Sequence, residues 1–366
     1  MRPLRLLMTA DAVGGVWQYA TDLASALAPL GVETTLAVLG PAPSADQRAA
    51  ASAIAGVTLV ETSLPLDWLC ESAVPVRAAG AAIADLARTQ AADLIQYNMP
   101  TLAAVSGGLP SIAVTHGCVS TWWEAAKRTP LAQPYHWHRA LMLEGLRSVD
   151  QVVAPTRAYA DGVAAHYRLA RAPVAVHNGR VAPADIKPTS LSDQVLTAGR
   201  MWDSVKNAAL LDRVAARLAV PFHAAGALVG PHNERIALEH LHTLGELDAG
   251  VLRRRLADRP VFVSAASFEP FGLAVLEAAQ AGCALVLSDI ATFRELWDGA
   301  AVFVTGEDER DWAEAVDALI ADPGCRHAAG EAARTRAARY TPAATAQAMA
   351  TLYRGLVSEH TTRAAA

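Results

Sequence analysis

Cysteine, surplus positive charge and long apolar runs are all scarce in this chain. The four cysteines, Cys70, Cys118, Cys283 and Cys325, show no C-x-x-C spacing. That speaks against a zinc site and for reduced thiols in a cytoplasmic protein. Lys and Arg number 31 against 36 Asp and Glu, a formal net charge of −5. Without a basic surplus there is no footprint for nucleic acid, and no nucleic-acid partner is expected. No uninterrupted apolar run reaches about 18 residues, so no membrane span is expected. The start, Met1 to Met8, has a basic flank but too short an apolar run for a signal peptide. No basic amphipathic helix asks for more than peripheral membrane association. Low-complexity tracts and short repeats are absent too.

What is present is a well-packed globular composition: 366 residues, 52% hydrophobic and 18% charged. A chain of that length exceeds what one core supports, so two domains are expected. Short apolar runs alternate with helical patterns: strands at Leu4–Met8, Thr34–Leu39, Val57–Val60, Leu94–Gln96, Ser111–Thr115 and Val149–Ala154, helices at Trp17–Leu30 and Ala78–Arg88. Gly31 is a fitting stop for the first helix. The proline-spaced segment Ala182 to Pro188 reads as a linker. Beyond it the rhythm restarts, with strands at Val195–Ala198, Pro221–Ala225, Val261–Val263, Ala284–Leu287 and Ala301–Val304. Helices are expected at Ala208–Leu218, near Val251–Leu256, at Leu273–Ala281, near Asp311–Ala321 and at Ala343–Val357. Such a rhythm implies two doubly wound α/β domains with parallel sheets. Their expected bounds are 1–182 and 183–342, facing across a cleft.

The stretch Phe268-Glu269-Pro270-Phe271-Gly272-Leu273-Ala274-Val275-Leu276-Glu277 carries the most chemistry. If a helix starts near Gly272, Glu277 lies within it and Glu269 in the loop before it. The helix start points free N–H groups and a partial positive charge into the space between them. That space suits a phosphate, with a carboxylate on either side to grip hydroxyls, which is the outline of a nucleotide sugar.

Several further motifs fall in order along the chain: Gly14-Gly15-Val16-Trp17-Gln18-Tyr19, Val114-Thr115-His116-Gly117, Val153-Ala154-Pro155-Thr156, His177-Asn178-Gly179, and Ala198-Gly199-Arg200 through Lys206-Asn207. With Glu269 and Glu277 as an E-x7-E pair and the Ala281-Gly282-Cys283 turn after it, the chain resembles the retaining glycosyltransferases of family 4 (group 1), which have the GT-B fold of two Rossmann-like domains. Each short motif is weak alone; their order and spacing make the match. The resemblance departs at two places. Val263-Ser264-Ala265-Ala266-Ser267 stands where a proline-serine pair is usual, and Gln18 where many members carry an acid.

The resemblance implies transfer of a hexose from a nucleotide diphosphate sugar, UDP-linked, to the hydroxyl of a sugar, polyol or lipid-linked acceptor. Arg200 and Lys206 would offset the charge of the departing diphosphate. No Asp-x-Asp triplet is available, so neither a metal nor any other cofactor is expected; the nucleotide sugar is a co-substrate. Glu277 is assigned to ribose and Glu269 to the donor sugar. Phe271, Gly272 and Leu273 would supply backbone N–H groups, with glycine where the backbone approaches the ligand. Gly14 and Gly15 would close over the phosphates, and their pattern lacks the third glycine of a dinucleotide fingerprint. His116 would sit against the donor sugar, giving a catalytic set of His116, Glu269, Arg200 and Lys206. A final helix, about 343–366, would cross back onto the first domain.

Taken singly, Arg200 and Lys206 read as surface charges, Glu277 as a solvent-facing acid and His116 as a structural histidine. Tyr97, Asn98, Trp122 and Trp123 are placed on loops at the sheet edge, either packing there or stacking on an acceptor. Leu244 to Leu247 would border the base. His136/His138 and His240/His242 have strand-type metal spacing but no third ligand, and both pairs are read as surface or core histidines. No nucleophile is evident for a double displacement, and the resemblance implies front-face substitution, the departing phosphate taking the acceptor's proton. Two alternatives stand beside this reading: a nucleotide-sugar hydrolase or epimerase on the same fold, and a non-catalytic sugar-nucleotide binding partner.

Overall fold

A computed structural model describes residues 2–105, 107–182 and 191–365, with side chains through 363. The chain forms two compact units, Met1–Gly179 with Thr341–Ala366, and Arg180–Tyr340. The proline-spaced stretch read as a linker falls, from 183 on, outside the described residues.

The first unit runs β1 (Leu4–Asp11), α1 (Gly15–Leu27), β2 (Val32–Leu39), α2 (Ala45–Ser52), β3 (Val57–Glu61), α3 (Ala73–Thr89), β4 (Leu94–Tyr97), β5 (Ser111–Val114), α4 (Val119–Lys127), α5 (His136–Ser148), β6 (Gln151–Ala154), α6 (Arg157–Tyr167) and β7 (Val174–Ala175). Its parallel sheet has the order β3-β2-β1-β4-β5-β6-β7. Successive residues of β1 point to opposite faces. Leu6 and Met8 enter one buried cluster with α1, while Leu7 enters another with Ile95 and the α3 residues Val76, Ala79 and Ile83. Both faces are therefore apolar, which is why the strands read as continuous hydrophobic runs.

The second unit comprises β8 (Val195–Ala198), α7 (Ala208–Ala215), β9 (Phe222–Ala225), β10 (His242–Gly245), α8 (Ala249–Ala257), β11 (Val261–Ser264), α9 (Leu273–Gln280), β12 (Leu285–Ser288), α10 (Ala291–Trp297), β13 (Val302–Val304), α11 (Glu309–Ala321) and α12 (Pro323–Ala337). Its parallel sheet has the order β10-β9-β8-β11-β12-β13. Val261 and Val263 face α7 and α11; Phe262 between them faces α9, α10 and α12.

The last helix, α13 (Pro342–Ala365), belongs to the first unit. Ala346, Met349, Ala350 and Tyr353 fall at helical spacing and are fully buried in the cluster that also holds Trp17, Ala20 and Leu23 of α1. Burial of the Met349 and Tyr353 side chains contributes roughly 1.5–3 kcal/mol each before ordering costs.

Several local readings of the sequence are corrected. Trp122 and Trp123 lie on a helix, α4, not in loops, and His136 and His138 lie on helix α5, not on a strand. His138 is buried and bonds the buried Asp67 at 3.1 Å, so its chemistry is that of a core tie. The first helix ends at Leu27, and a 3-10 turn carries the chain to Gly31, whose left-handed φ of 75° explains the glycine.

Candidate functional site

His116 after β5, Trp122 and Trp123 on α4 and Glu277 on α9 apart, the candidate residues of each unit stand where the strand order reverses, at the carboxyl ends of the two strands flanking that point. That is where doubly wound sheets bind ligands. In the second unit those strands are β8 and β11.

The loop after β8 carries Arg200 and Lys206; the loop after β11 carries Glu269. Two bonds sew the loops together: the Ser267 N–H donates to the Val205 carbonyl at 2.9 Å, and Asn207 Nδ2 donates to the Ala265 carbonyl at 2.8 Å. Lys206 therefore meets Glu269, and its Nζ donates to Glu269 Oε2 in a tight ion pair whose side chains are each 19% exposed. Arg200 is more open. It donates from Nη2 to Asp203 Oδ2 at 2.8 Å, lies over the Trp202 ring and keeps 61% of its side chain exposed. Asp203 itself is buried and caps the short turn that delivers Lys206, its side chain accepting from the Val205 N–H.

Gly272 stands immediately before α9, at φ 90°, and no side chain caps that helix, so its first N–H groups remain available. A Cβ at Gly272 would lie 3.1 Å from Phe293 and 3.2 Å from Glu269 Cγ, in a backbone region that L side chains rarely adopt. Phe271 is buried edge-on against Tyr340, and Leu273 packs on the same core. Their side chains anchor the loop, which leaves the backbone as the part offered to a ligand.

Glu277 sits on α9, partly exposed. Its Oε1 accepts from Arg180 Nε at 2.8 Å and lies 2.6 Å from Arg180 Nη2. Arg180 is almost wholly buried, and sequence reasoning missed it. The only signal was an arginine following Gly179 beside apolar residues; a buried arginine needs a partner, but nothing in the spacing pointed 97 positions ahead.

In the first unit, Gly14 follows β1 as the extended residue before α1, with open space where its Cβ would be. Gly15 opens the helix, and no side chain caps it. His116 lies two residues beyond β5. Its Nε2 is 3.2 Å from Asn98 Oδ1, and its ring meets Tyr19 of α1 edge-on at 4.5 Å. Burial pushes its pKa down to about 4, so the ring is neutral near pH 7. Asn98 is buried within a hydrogen-bond network. Tyr97 is 1% exposed, so its ring offers no face for stacking; burial pushes its phenol up to about 12.

Trp122 and Trp123 belong to a cluster with Tyr135 and Lys127. The Trp123 indole donates to the Pro130 carbonyl at 3.1 Å. A network fixes their helix: His166 bridges Glu124 at 2.8 Å and Ser120 at 3.0 Å, and Ser120 bonds the Tyr167 hydroxyl at 2.7 Å. No group of three or more His, Cys, Asp or Glu side chains suited to a metal ion occurs among the described residues. Nor is any helix there long and apolar enough to cross a membrane.

Comparison with known proteins accords with this geometry. The family model described as Glycosyltransferase Family 4 matches residues 13–180, and that described as Glycosyl transferases group 1 matches residues 192–322. Between them they cover most of both units. The chain belongs to the group 1, family 4 glycosyltransferases. Among curated relatives it is 35% identical over 135 residues to the D-inositol 3-phosphate glycosyltransferase of Corynebacterium jeikeium (strain K411), a match that spans 32% of this chain and 32% of that protein. Among the solved structures that share its fold are the following two. Sucrose-phosphate synthase from Thermosynechococcus elongatus has a TM-score of 0.74 at 16% identity, with 97% of this chain and all of that one covered. Anabaena Alr3699/HepE in complex with UDP-glucose has a TM-score of 0.72 at 17% identity, with 96% and 100% covered. At such identities the likeness is one of fold: this group 1 chain is a GT-B protein with two parallel-sheet α/β domains.

Proposed function

We propose that this chain transfers a hexose from a nucleotide diphosphate sugar, UDP-linked, to an acceptor hydroxyl with retention and without a metal. The observation that carries the reading is the junction at the carboxyl ends of β8 and β11. There Lys206 is held by Glu269, Arg200 stands open beside Asp203, and α9 begins uncapped at Gly272. An ammonium has three N–H donors. One engages Glu269, leaving two for phosphate oxygens, while Glu269 Oε1 remains to accept from a sugar hydroxyl. Glu277, anchored through Oε1 by Arg180, has Oε2 for ribose. Support for a UDP-linked donor comes from the HepE structure solved with UDP-glucose.

In the reaction the bond from the anomeric carbon to the diphosphate oxygen breaks, and the acceptor oxygen bonds on the same face. The acceptor's proton passes to the departing phosphate. Arg200 and Lys206 stabilise the charge developing there, and the group around His116 serves the transferred sugar.

The test is a thermal-shift series with UDP-, GDP- and ADP-sugars, followed by nucleotide release with and without candidate acceptors. A donor at 100 times its Kd should stabilise by about 2.7 kcal/mol. Stabilisation by none of them sinks the reading; release independent of any acceptor makes the protein a hydrolase.

A further inference from the structure

The residues behind His116 form a polar chain that begins on the last helix. Tyr353 of α13, fully buried, donates its O–H to Gln96 Oε1. Gln96, also fully buried, donates from Nε2 to Asn98 Oδ1 at 3.0 Å. Asn98 donates from Nδ2 to the Thr9 carbonyl at 2.7 Å, and its backbone N–H donates to Thr9 Oγ1 at 2.9 Å. The fourth group at Asn98 is His116 Nε2, 3.2 Å from Oδ1.

The direction of every proton follows from this arrangement. The Thr9 carbonyl can only accept, so the Asn98 atom facing it is the NH2 group, and the atom facing His116 is oxygen. That oxygen needs donors. Gln96 supplies one, because its own oxygen is occupied by Tyr353. His116 supplies the other, so the proton of its imidazole is on Nε2. Tyr353 stays a donor at any physiological pH, since burial holds its phenol well above the ordinary value. The titratable groups packed around the chain are Tyr19 of α1 and Tyr353 of α13, both tyrosines whose pKa values are raised by burial. Thr9, Gln96, Asn98 and Tyr353 are all buried, and the chain ends on the one partly exposed member, His116. Its Nδ1 makes no hydrogen bond to a described residue.

We propose that Asn98, Gln96 and Tyr353 are positioning residues that lock His116 in the Nε2–H tautomer, so that Nδ1 presents a fixed acceptor to a hydroxyl of the bound sugar. The last clause rests on the function proposed above; the tautomer does not. The C-terminal helix thus contributes more than packing: it supplies the first proton of the chain that sets the imidazole.

Nitrogen-15 NMR of the histidine ring in the full chain tests this without any substrate. Wild type should show His116 as a single Nε2–H tautomer at pH 7. Asn98→Ala should give a mixture of tautomers. Tyr353→Phe keeps the ring packing and should shift the tautomer population part-way. In transfer assays, kcat should fall about tenfold in Asn98→Ala, roughly the loss of one hydrogen bond to the sugar, with the donor KM changing less than about twofold. A merely structural network would lower thermal stability and leave the ring spectrum unchanged. A single Nε2–H tautomer in a folded Asn98→Ala overturns the proposal. If Asn98→Ala does not fold, an unaltered ring spectrum and rate in Tyr353→Phe overturn it instead. Absence of transfer by the wild type would refute the proposed function alone and leave the tautomer assignment to be decided by the spectra.

Discussion

Arg180→Ala is the most informative single change. The guanidinium bonds Glu277 from Nε at 2.8 Å and approaches it from Nη2 at 2.6 Å; its side chain is 6% exposed against 21% for the glutamate. Removing one member of a buried ion pair typically costs about 3–5 kcal/mol, because the remaining charge is stranded in a poor solvent. Glu277 retains a fifth of its exposure, so water would recover part of that, and a loss of about 2–3 kcal/mol is expected, including the packing of the arginine stem. For a unit of this size each kcal/mol moves the midpoint by about 2–4 °C, so Tm should fall by roughly 5–10 °C. Circular dichroism melts of the full chain measure this, with urea titrations as a second probe. Arg180→Ala combined with Glu277→Gln should recover a good part of the loss, since no charge is then stranded. A single variant within about 1 °C of wild type, or a double variant worse than the sum of its parts, would show that the pair neither stabilises the unit nor holds Glu277.

Other outcomes follow from the same geometry. Lys206→Ala should lower kcat/KM by about 10–100-fold through one lost charge-assisted bond to phosphate, and should also lower Tm because it leaves the 19%-exposed Glu269 without its partner; steady-state kinetics beside a melt decide both. Gly272→Ala should destabilise by about 1–2 kcal/mol, because a side chain there is strained at φ 90° and crowds Phe293; urea unfolding reads this directly. His116, with its pKa depressed from 6.5 to about 4, binds its proton less readily folded than unfolded. Its contribution to stability is therefore fully present above pH 6.5 and is lost as pH falls towards 4, by up to about 3 kcal/mol, less whatever the partly exposed ring keeps of its hydration. His116→Asn should remove that component from a series of urea titrations between pH 4.5 and 7.

Much of the fold was legible because strands buried on both faces must be apolar throughout, so runs such as Val261 to Val263 and Leu285 to Leu287 announce a parallel sheet. Among the helices that the sequence does not announce, α2 and α12 have diluted stripes. In α12 the buried residues are Gly330, Ala333, Ala337 and Arg326, which carry little hydrophobic signal, and the buried Arg326 bonds Asp193 at 2.9 Å and the Ser192 carbonyl at 3.4 Å. α2 is alanine-rich, though its capping box at Ser44 and Gln47 was there to be seen. At the site, the helix start at Gly272 and the place of Glu269 in the loop before it followed from local chain geometry. The partners did not. Arg180, Asp203 and Tyr353 meet Glu277, Arg200 and Gln96 through the tertiary fold or through a turn that no periodicity encodes. Tyr97 misled for the opposite reason, since an aromatic residue at a strand end looks available until its burial is known.

The central claim is that the charged junction between β8 and β11 grips a nucleotide diphosphate. Calorimetric titration of UDP into wild type, Arg200→Ala and Lys206→Ala tests it most directly. Saturable binding that each substitution weakens by about tenfold or more, the loss of one charge-assisted hydrogen bond, is the expected result. Binding of equal strength in all three proteins would contradict it.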